Sequence, residues 1–278
     1  MRTIALPDEL PFERTDLTQL YDYRSSLEIN KQQIILNQNT FSFLMDGSKE
    51  VYFDNTALSI TNSHFLLMKA GHCLMTEKLS DIENYRSVLL FFSNETLLKI
   101  IRKTAIQSVK PPQIQSVYGF QYDEFIHQFV SSLVVVSKLA ESIQSKLLEV
   151  KLEEIIIYLT EVHGPAFIYS LLSNSKNSTQ KMIQTVENNL LSKLTIHELA
   201  FLCNMSISTF KREFEKCYGE SPIKWFQNKR LEHAQYLLHN ERKISTEIYL
   251  EVGYENLSSF IQAYKAKYGT TPKQDRKN

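Results

Sequence analysis

The sequence predicts an α+β protein of two domains. The first is a small β-barrel with a helical extension. The second is all-α, with a linker helix joining two helix-turn-helix units. Three observations carry this reading. Short apolar and aromatic runs, separated by turn residues, fill the stretch from Lys31 to Ser93. From Asn94 onward the apolar period becomes helical. Near the C-terminus a pattern repeats at a spacing of 50 residues, pairing Phe210 with Phe260, Phe214 with Tyr264, Tyr218 with Tyr268, Gly219 with Gly269 and Pro222 with Pro272. A period of this size marks a repeated supersecondary unit.

Residues 1 to about 30 are polar and mixed, and they announce no element. The strand candidates follow: Gln33–Leu36, Thr40–Met45, Val51–Phe53, Ala57–Ile60, Phe65–Met68 and Ser87–Phe92. Asp46-Gly47-Ser48, Asp54-Asn55, Thr61-Asn62-Ser63 and Ala70-Gly71 supply turn chemistry between them. Several short strands at close spacing suggest a sandwich or barrel.

The helical segment begins with Ser93 or Asn94 as a cap and runs through Leu97, Leu98, Ile101 and Arg102, with Pro111-Pro112 as an interruption. Helices are then expected over Phe120–Leu139 and Ser142–His163. In the latter, Leu148, Leu152, Ile155, Leu159 and Val162 recur at heptad-like spacing. That stripe fits either packing on the barrel or a homodimer seam. Gly164-Pro165 ends the helix, and Ala166–Leu172 is one more short apolar segment. The polar, turn-forming run 173–179 is the expected linker. The domains are therefore placed at 1–172 and 180–278.

In the second domain Met182, Ile183, Val186 and Leu190 mark a first helix. Thr195-Ile196-His197-Glu198 fits a capping box. Leu199, Ala200, Leu202 and Cys203 give that helix a buried side, and Asn204-Met205-Ser206 makes a tight turn into the helix of Phe210 and Phe214. In the second copy Ser245 is the expected cap, Ile248 and Val252 face inward, and Gly253 makes the turn. Each repeat ends in a Gly suited to a left-handed helix end. Ser221-Pro222 and Thr271-Pro272 then read as an N-cap followed by Pro at the first helical position. Between the copies, Trp225, Phe226, Leu231, Ala234, Leu237 and Leu238 form the stripe of a linker helix.

Composition narrows the class. The chain has 278 residues, is 43% hydrophobic and 22% charged, and carries no net charge, which is ordinary for globular material. The charge is unevenly spread. Residues 180–278 hold fifteen Lys and Arg against eleven Asp and Glu, while the rest holds sixteen against twenty. A mildly basic C-terminal domain suits a phosphate-facing surface. Cys73, Cys203 and Cys217 have no metal-type spacing; Cys203 and Cys217 are expected in the core, and a reducing cytoplasm is the expected compartment. Met1–Arg14 lacks the apolar run of a signal peptide, and no run is long enough to span a membrane.

The C-terminal hundred residues resemble the DNA-binding domain of AraC/XylS-type transcription regulators. The residues that carry the resemblance are Ser208 to Phe214, Gly219-Glu220-Ser221-Pro222, Arg230-Leu231-Glu232-His233-Ala234-Gln235-Tyr236-Leu237-Leu238, Val252-Gly253-Tyr254, Phe260, and Tyr268-Gly269-Thr270-Thr271-Pro272. The resemblance implies a transcription factor, an activator among the expected roles, that binds double-stranded DNA, with RNA polymerase as a further partner. The strand region ahead of it resembles the cupin-like sensor domain of many family members, on the order and rhythm of its strands. That implies response to a small-molecule or protein effector, with homodimerisation. No site for the effector can be assigned from the sequence.

The outward face of the first recognition helix holds Ser208, Thr209, Lys211 and Arg212; Arg and Lys can reach guanine or phosphate. Arg230 and Lys265 are further candidates for phosphate, as is Lys267. In the second unit the face holds Ser258, Ser259 and Gln262, with Ile261 in the Lys slot. Two departures from the family pattern stand out: Tyr249 where Ala is usual, and Gln262 where a basic residue is common. The second unit is therefore expected to position the backbone more than it reads sequence. Two other readings remain: a ligand- or protein-binding module with degenerate DNA reading, or a metal-dependent cupin enzyme. The latter lacks a ligand cluster, since the strand region offers only His64 and His72, with Glu77 and Glu83 nearby. No phosphate-cradling loop or nucleophile elbow occurs. No catalytic residue, cofactor or metal is expected. The aromatic residues Phe41, Phe43, Tyr52, Phe53 and Phe65 fit a pocket lining or, for most of them, simple core.

Overall fold

The computed structural model describes residues 2–11, 17–53, 57–107, 109, 114–173 and 178–276. The predicted Asp54-Asn55 turn, Pro111-Pro112 and most of the predicted linker fall outside them. The chain divides into two compact units, Met1–Lys176 and Asn177–Asn278.

Among the described residues the first unit contains ten strands: β1 (Ile4–Leu6), β2 (Thr18–Ser25), β3 (Ile29–Leu36), β4 (Asn39–Asp46), β5 (Ser48–Tyr52), β6 (Leu58–Thr61), β7 (His64–Met68), β8 (Gly71–Lys78), β9 (Tyr85–Phe92) and β10 (Val117–Gln121). Its helices are α1 (Asn94–Lys103), α2 (Glu124–Val136), α3 (Glu141–His163) and α4 (Ala166–Leu172). The strands form two five-stranded sheets, ordered β1-β3-β8-β5-β6 and β10-β7-β4-β9-β2. β1 runs parallel to β3; the other pairs are antiparallel.

The expected barrel is not closed: each sheet keeps its own two edges. The reason lies in the second sheet, which is buried on both faces. Along β7, Leu66 and Met68 point into the core shared with the first sheet, while Phe65 and Leu67 point into the core shared with the helices. The sheet is thus a middle layer, and near-continuous apolar runs such as His64–Met68 are what a doubly covered strand requires. The aromatics Phe41, Phe43 and Phe65 are fully buried beneath the helices, and Phe53 lies between the sheets. They are core.

The heptad-like stripe is core as well. Leu148, Leu152, Ile155 and Leu159 are buried against the second sheet and its helices, while Val162 is exposed. A different face of α3, carrying Ile143, Leu147, Val150 and Ile157, is open. Two further departures occur. Val117–Gln121 pairs antiparallel with β7, so the predicted helix begins only after its Asp123 cap. β1 and β2 fill the stretch that announced no element.

The second unit contains α5 (Ser178–Asn188), α6 (Ile196–Leu202), α7 (Ile207–Tyr218), α8 (Pro222–His239), α9 (Ser245–Ile248), α10 (Leu257–Tyr268) and α11 (Pro272–Asp275). Thr195 and Glu198 close the predicted capping box. Gly219 and Gly269 both end their helices in the left-handed conformation, at φ 73° and 75°, a region open to Gly at little cost. Pro222 and Pro272 open the helices that follow.

Candidate nucleic-acid interface and ligand cavity

In the first helix-turn-helix unit, Phe210 and Phe214 are fully buried. Burial of such a side chain is worth about 1.5–3 kcal/mol, and it fixes the rotation of α7. Ser208, Lys211 and Arg212 are consequently exposed. Thr209 is only half-buried and is drawn into the helix cap: Ser206 Oγ accepts its backbone N–H at 3.1 Å and donates to its hydroxyl at 2.8 Å. Ser208 Oγ lies 3.0 Å from Ser206 Oγ. Arg212 pairs with Glu213 at 3.2 Å, and Lys216 pairs with the same carboxylate at 2.9 Å. Lys216 first and Arg212 second hold the Glu213 carboxyl below the ordinary carboxylate range. Lys211 forms no ion pair among the described residues. Cys217, expected in the core, is exposed; at the end of α7 the packing passes to Phe214 and Tyr218, which meet Trp225 and Phe226.

The second unit repeats the first with one change. In unit one, Asn204 turns at φ 56° and Met205 N–H donates to the Ala200 carbonyl. In unit two, Gly253 turns at φ 83° and Tyr254 N–H donates to the Tyr249 carbonyl. Tyr249 therefore holds the place of Ala200, and the turn to the next cap, Asn256 rather than Ser206, is one residue longer. Ala200 is buried in its unit. Tyr249, by contrast, is half-buried against the core of the second unit, just past the end of α9 at Ile248. Ser245 is the first helical residue; the predicted cap shifts to Ile244, whose N–H Glu247 accepts. On α10, Phe260 and Tyr264 are buried, while Ser258, Ser259, Gln262 and Lys265 are exposed. Ile261 packs against the core. Lys267 is committed within the domain, donating to the Asn228 carbonyl at 2.8 Å and pairing with Glu232 at 3.1 Å.

Arg230 differs from the other candidates. It is half-buried in the middle of α8, and its Nη2 donates to the Ser192 carbonyl at 3.3 Å.

The first unit contains a cavity of about 400 Å³. Ile34, Leu36 and Met75 from the first sheet and Met68, Leu89 and Phe91 from the second form much of its apolar wall. Lys49 and Glu77 also line it. They form an ion pair at 3.2 Å with side chains 2% and 5% exposed, and Lys49 donates to Ser42 across the sheets at 3.1 Å. Burial, then the Glu77 carboxylate, pushes the Tyr23 and Tyr85 phenols up. This polar cluster was not anticipated. Lys49 and Glu77 lie 28 positions apart, and only the pairing of β5 with β8 brings them side by side. Among the described residues no group of three or more His, Cys, Asp and Glu side chains is placed to hold a metal ion, and no helix is long and apolar enough to cross a membrane.

Comparison with known proteins adds independent findings. Residues 187–278 match a helix-turn-helix domain family, and residues 39–171 match the ExsA N-terminal regulatory domain. The chain is 28% identical over 158 residues to the virulence regulon transcriptional activator VirF of Yersinia enterocolitica, covering 56% of this chain and 58% of that protein. It is 28% identical over 127 residues to the HTH-type transcriptional regulator ExsA of Pseudomonas aeruginosa, covering 45% and 46%. It is 30% identical over 118 residues to a XylDLEGF operon transcriptional activator of Pseudomonas putida, covering 41% and 36%. The chain thus spans about half the length of the curated relatives it matches. Among solved structures, ToxT of Vibrio cholerae aligns over 94% of this chain and 98% of its own at 14% identity, with a TM-score of 0.39. The two domain matches lie in the order of an N-terminal regulatory region and a C-terminal helix-turn-helix region, and the chain belongs to the AraC/XylS family of transcription regulators.

Proposed function

We propose that the protein is a sequence-specific DNA-binding transcription regulator, acting in the cytoplasm, whose N-terminal unit responds to a small-molecule or protein effector. The observation that carries this reading is the α7 face: Ser208, Lys211 and Arg212 stand exposed on a helix whose rotation is fixed by Phe210 and Phe214. Such a face enters a major groove, with the second recognition helix about 34 Å further along the duplex. Lys211 reaches guanine or phosphate. Arg212 exchanges its exposed pair with Glu213 for a base edge, at little cost because exposed pairs contribute only about 0–1 kcal/mol. On α10, Ser258, Ser259 and Gln262 offer uncharged readout, with Lys265 toward phosphate. Thr209 supports the α7 cap as well as facing the groove.

The N-terminal cavity suits an effector, being largely apolar with a few convergent polar groups. The exposed α3 stripe of Ile143, Leu147, Val150 and Ile157 supports a homodimer contact. Transcriptional activation through RNA polymerase follows from the family. A second reading, a binding module with degenerate DNA recognition, draws on Tyr249, Ile261 and Gln262 in unit two.

The test is enrichment of genomic fragments by the full chain, followed by salt titration on the recovered sequence. Steep loss of affinity with salt is expected, because phosphate contacts release counterions. Lys211→Ala with Arg212→Ala should weaken specific binding by at least about tenfold; unchanged binding refutes the assignment.

A further inference from the structure

We infer that Arg230 is a positioning residue that locks the two helix-turn-helix units at one separation, and thereby sets the spacing between the two DNA segments the protein reads. The inference rests on the DNA-binding reading above, but it assigns Arg230 a role inside the domain rather than at the phosphate backbone.

The two units join through α8, which packs on α7 on one side and on α9, α10 and α11 on the other. A single helix is a narrow connection between two bodies. Arg230 adds a second one. From the middle of α8 its guanidinium reaches the Ser192 carbonyl, in the turn that leads into α6 of the first unit. Its other side lies on Gly253, in the turn of the second unit. A Cβ built at Gly253 would stand 3.2 Å from the guanidinium carbon and 3.3 Å from Nε and Nη1. Gly253 is favoured by its φ of 83°, and a Cβ there would press on the Arg230 guanidinium. The guanidinium crosses a cleft of about 310 Å³ bounded by Thr195 and Ile196 from the first unit, Phe226 from α8 and Tyr254 from the second. Its planar, rigid fork suits a strut better than a flexible ammonium would. A side chain so placed must abandon both partners to reach a phosphate.

The consequence is a spacing rule. One base pair advances the duplex by about 3.4 Å. A domain whose two recognition helices are held to less than that distance discriminates between duplexes differing by a single inserted base pair. A domain joined by α8 alone tolerates the insertion.

The probe is the tightest duplex selected by the full-length protein from a randomised library, together with versions carrying one base pair inserted or removed at the centre. The wild type should lose about tenfold or more on either change. Arg230→Met keeps the aliphatic stem and loses the guanidinium. It should bind the selected duplex with an unchanged salt slope and distinguish the three spacings by less than about threefold. Arg230→Lys, which keeps one donor for Ser192, should fall between them. If Arg230→Met instead lowers the salt slope by about 0.9 and keeps the spacing preference, the residue is a phosphate contact and the inference is overturned.

A second readout needs no DNA. Spin labels placed at the exposed positions Glu215 on α7 and Ala266 on α10, with Cys217→Ser to remove the exposed native thiol, report the separation directly. The wild type should give one narrow distance distribution and Arg230→Met a broader one; equal widths overturn the lock. If the wild type selects no duplex, the DNA-binding reading fails and with it the spacing rule, while the label widths still decide whether Arg230 is a lock.

Discussion

Replacing Lys49 should destabilise the N-terminal unit alone. Lys49 and Glu77 are almost fully buried and 3.2 Å apart. At an effective dielectric constant near 20, that separation corresponds to about 5 kcal/mol of attraction. Both charges have been taken out of water, so much of this attraction is offset by desolvation. Lys49→Met leaves the Glu77 carboxylate without its cation among Tyr23, Tyr85 and the apolar wall of the cavity. Breaking one partner of a buried pair costs about 3–5 kcal/mol. With a urea slope of about 2 kcal/mol per molar, the midpoint should fall by about 2 M. Adding Glu77→Gln removes the orphaned charge and keeps an acceptor for the Tyr23 phenol, so the double variant should regain at least about 2 kcal/mol. The chain supplies its own control. Its single tryptophan, Trp225, lies in the second unit, so tryptophan fluorescence follows that unit while far-UV circular dichroism follows both. The dichroism transition should split and move, and the fluorescence transition should stay. A loss below about 1 kcal/mol, or a double variant no better than the single, refutes the account of the pair.

Two further outcomes are expected in the second unit. The Asp275 carboxylate accepts from Tyr264 and Gln235 and pairs with His239 at 3.3 Å; the Tyr264 hydrogen bond above all holds its carboxyl below the ordinary range. A depressed folded value contributes stability that is complete above the unfolded pKa, near 3.9, and is lost as pH falls through the folded one. Asp275→Asn should therefore cost about 1–2 kcal/mol at pH 7, with the gap to wild type closing below about pH 4 in fluorescence-monitored unfolding; a gap that is constant with pH counts against this. Gln262→Arg adds a cation to the exposed face of α10, and should raise DNA affinity and steepen the salt slope by about 0.9. An unchanged slope means that this face does not meet the duplex.

The C-terminal unit was legible because its signals are local. A capping box, an aromatic pair at i and i+4, a Gly at a helix end and a Pro at a helix start each act within a few residues, and a 50-residue repeat displays them twice. The same locality made the α7 face readable, since burying Phe210 and Phe214 leaves Ser208, Lys211 and Arg212 nowhere to point but outward. Locality also explains the errors. Phe120 and Gln121 read as a helix start until Val117–Gln121 pairs with β7. Cys217 falls on the apolar period of α7 and is exposed because packing there passes to Tyr218. Tyr249 marks a departure in the second unit, but the short α9 and the longer turn are visible only in the folded chain.

By itself, the sequence determined two kinds of element, their order along the chain, and the exposure of Ser208, Lys211 and Arg212 on α7 and of Ser258, Ser259 and Gln262 on α10, though not that of Thr209, Cys217 or Ile261. Those depend on periodicity and capping, which the backbone reads over one or two turns. Tertiary structure alone decided that the strands make two open sheets beneath a helical layer, that Lys49 meets Glu77, and that Arg230 spans from Ser192 to Gly253. Each of these joins residues tens of positions apart, and such a partnership leaves no periodic trace in the chain because it is chosen by which surfaces pack against each other.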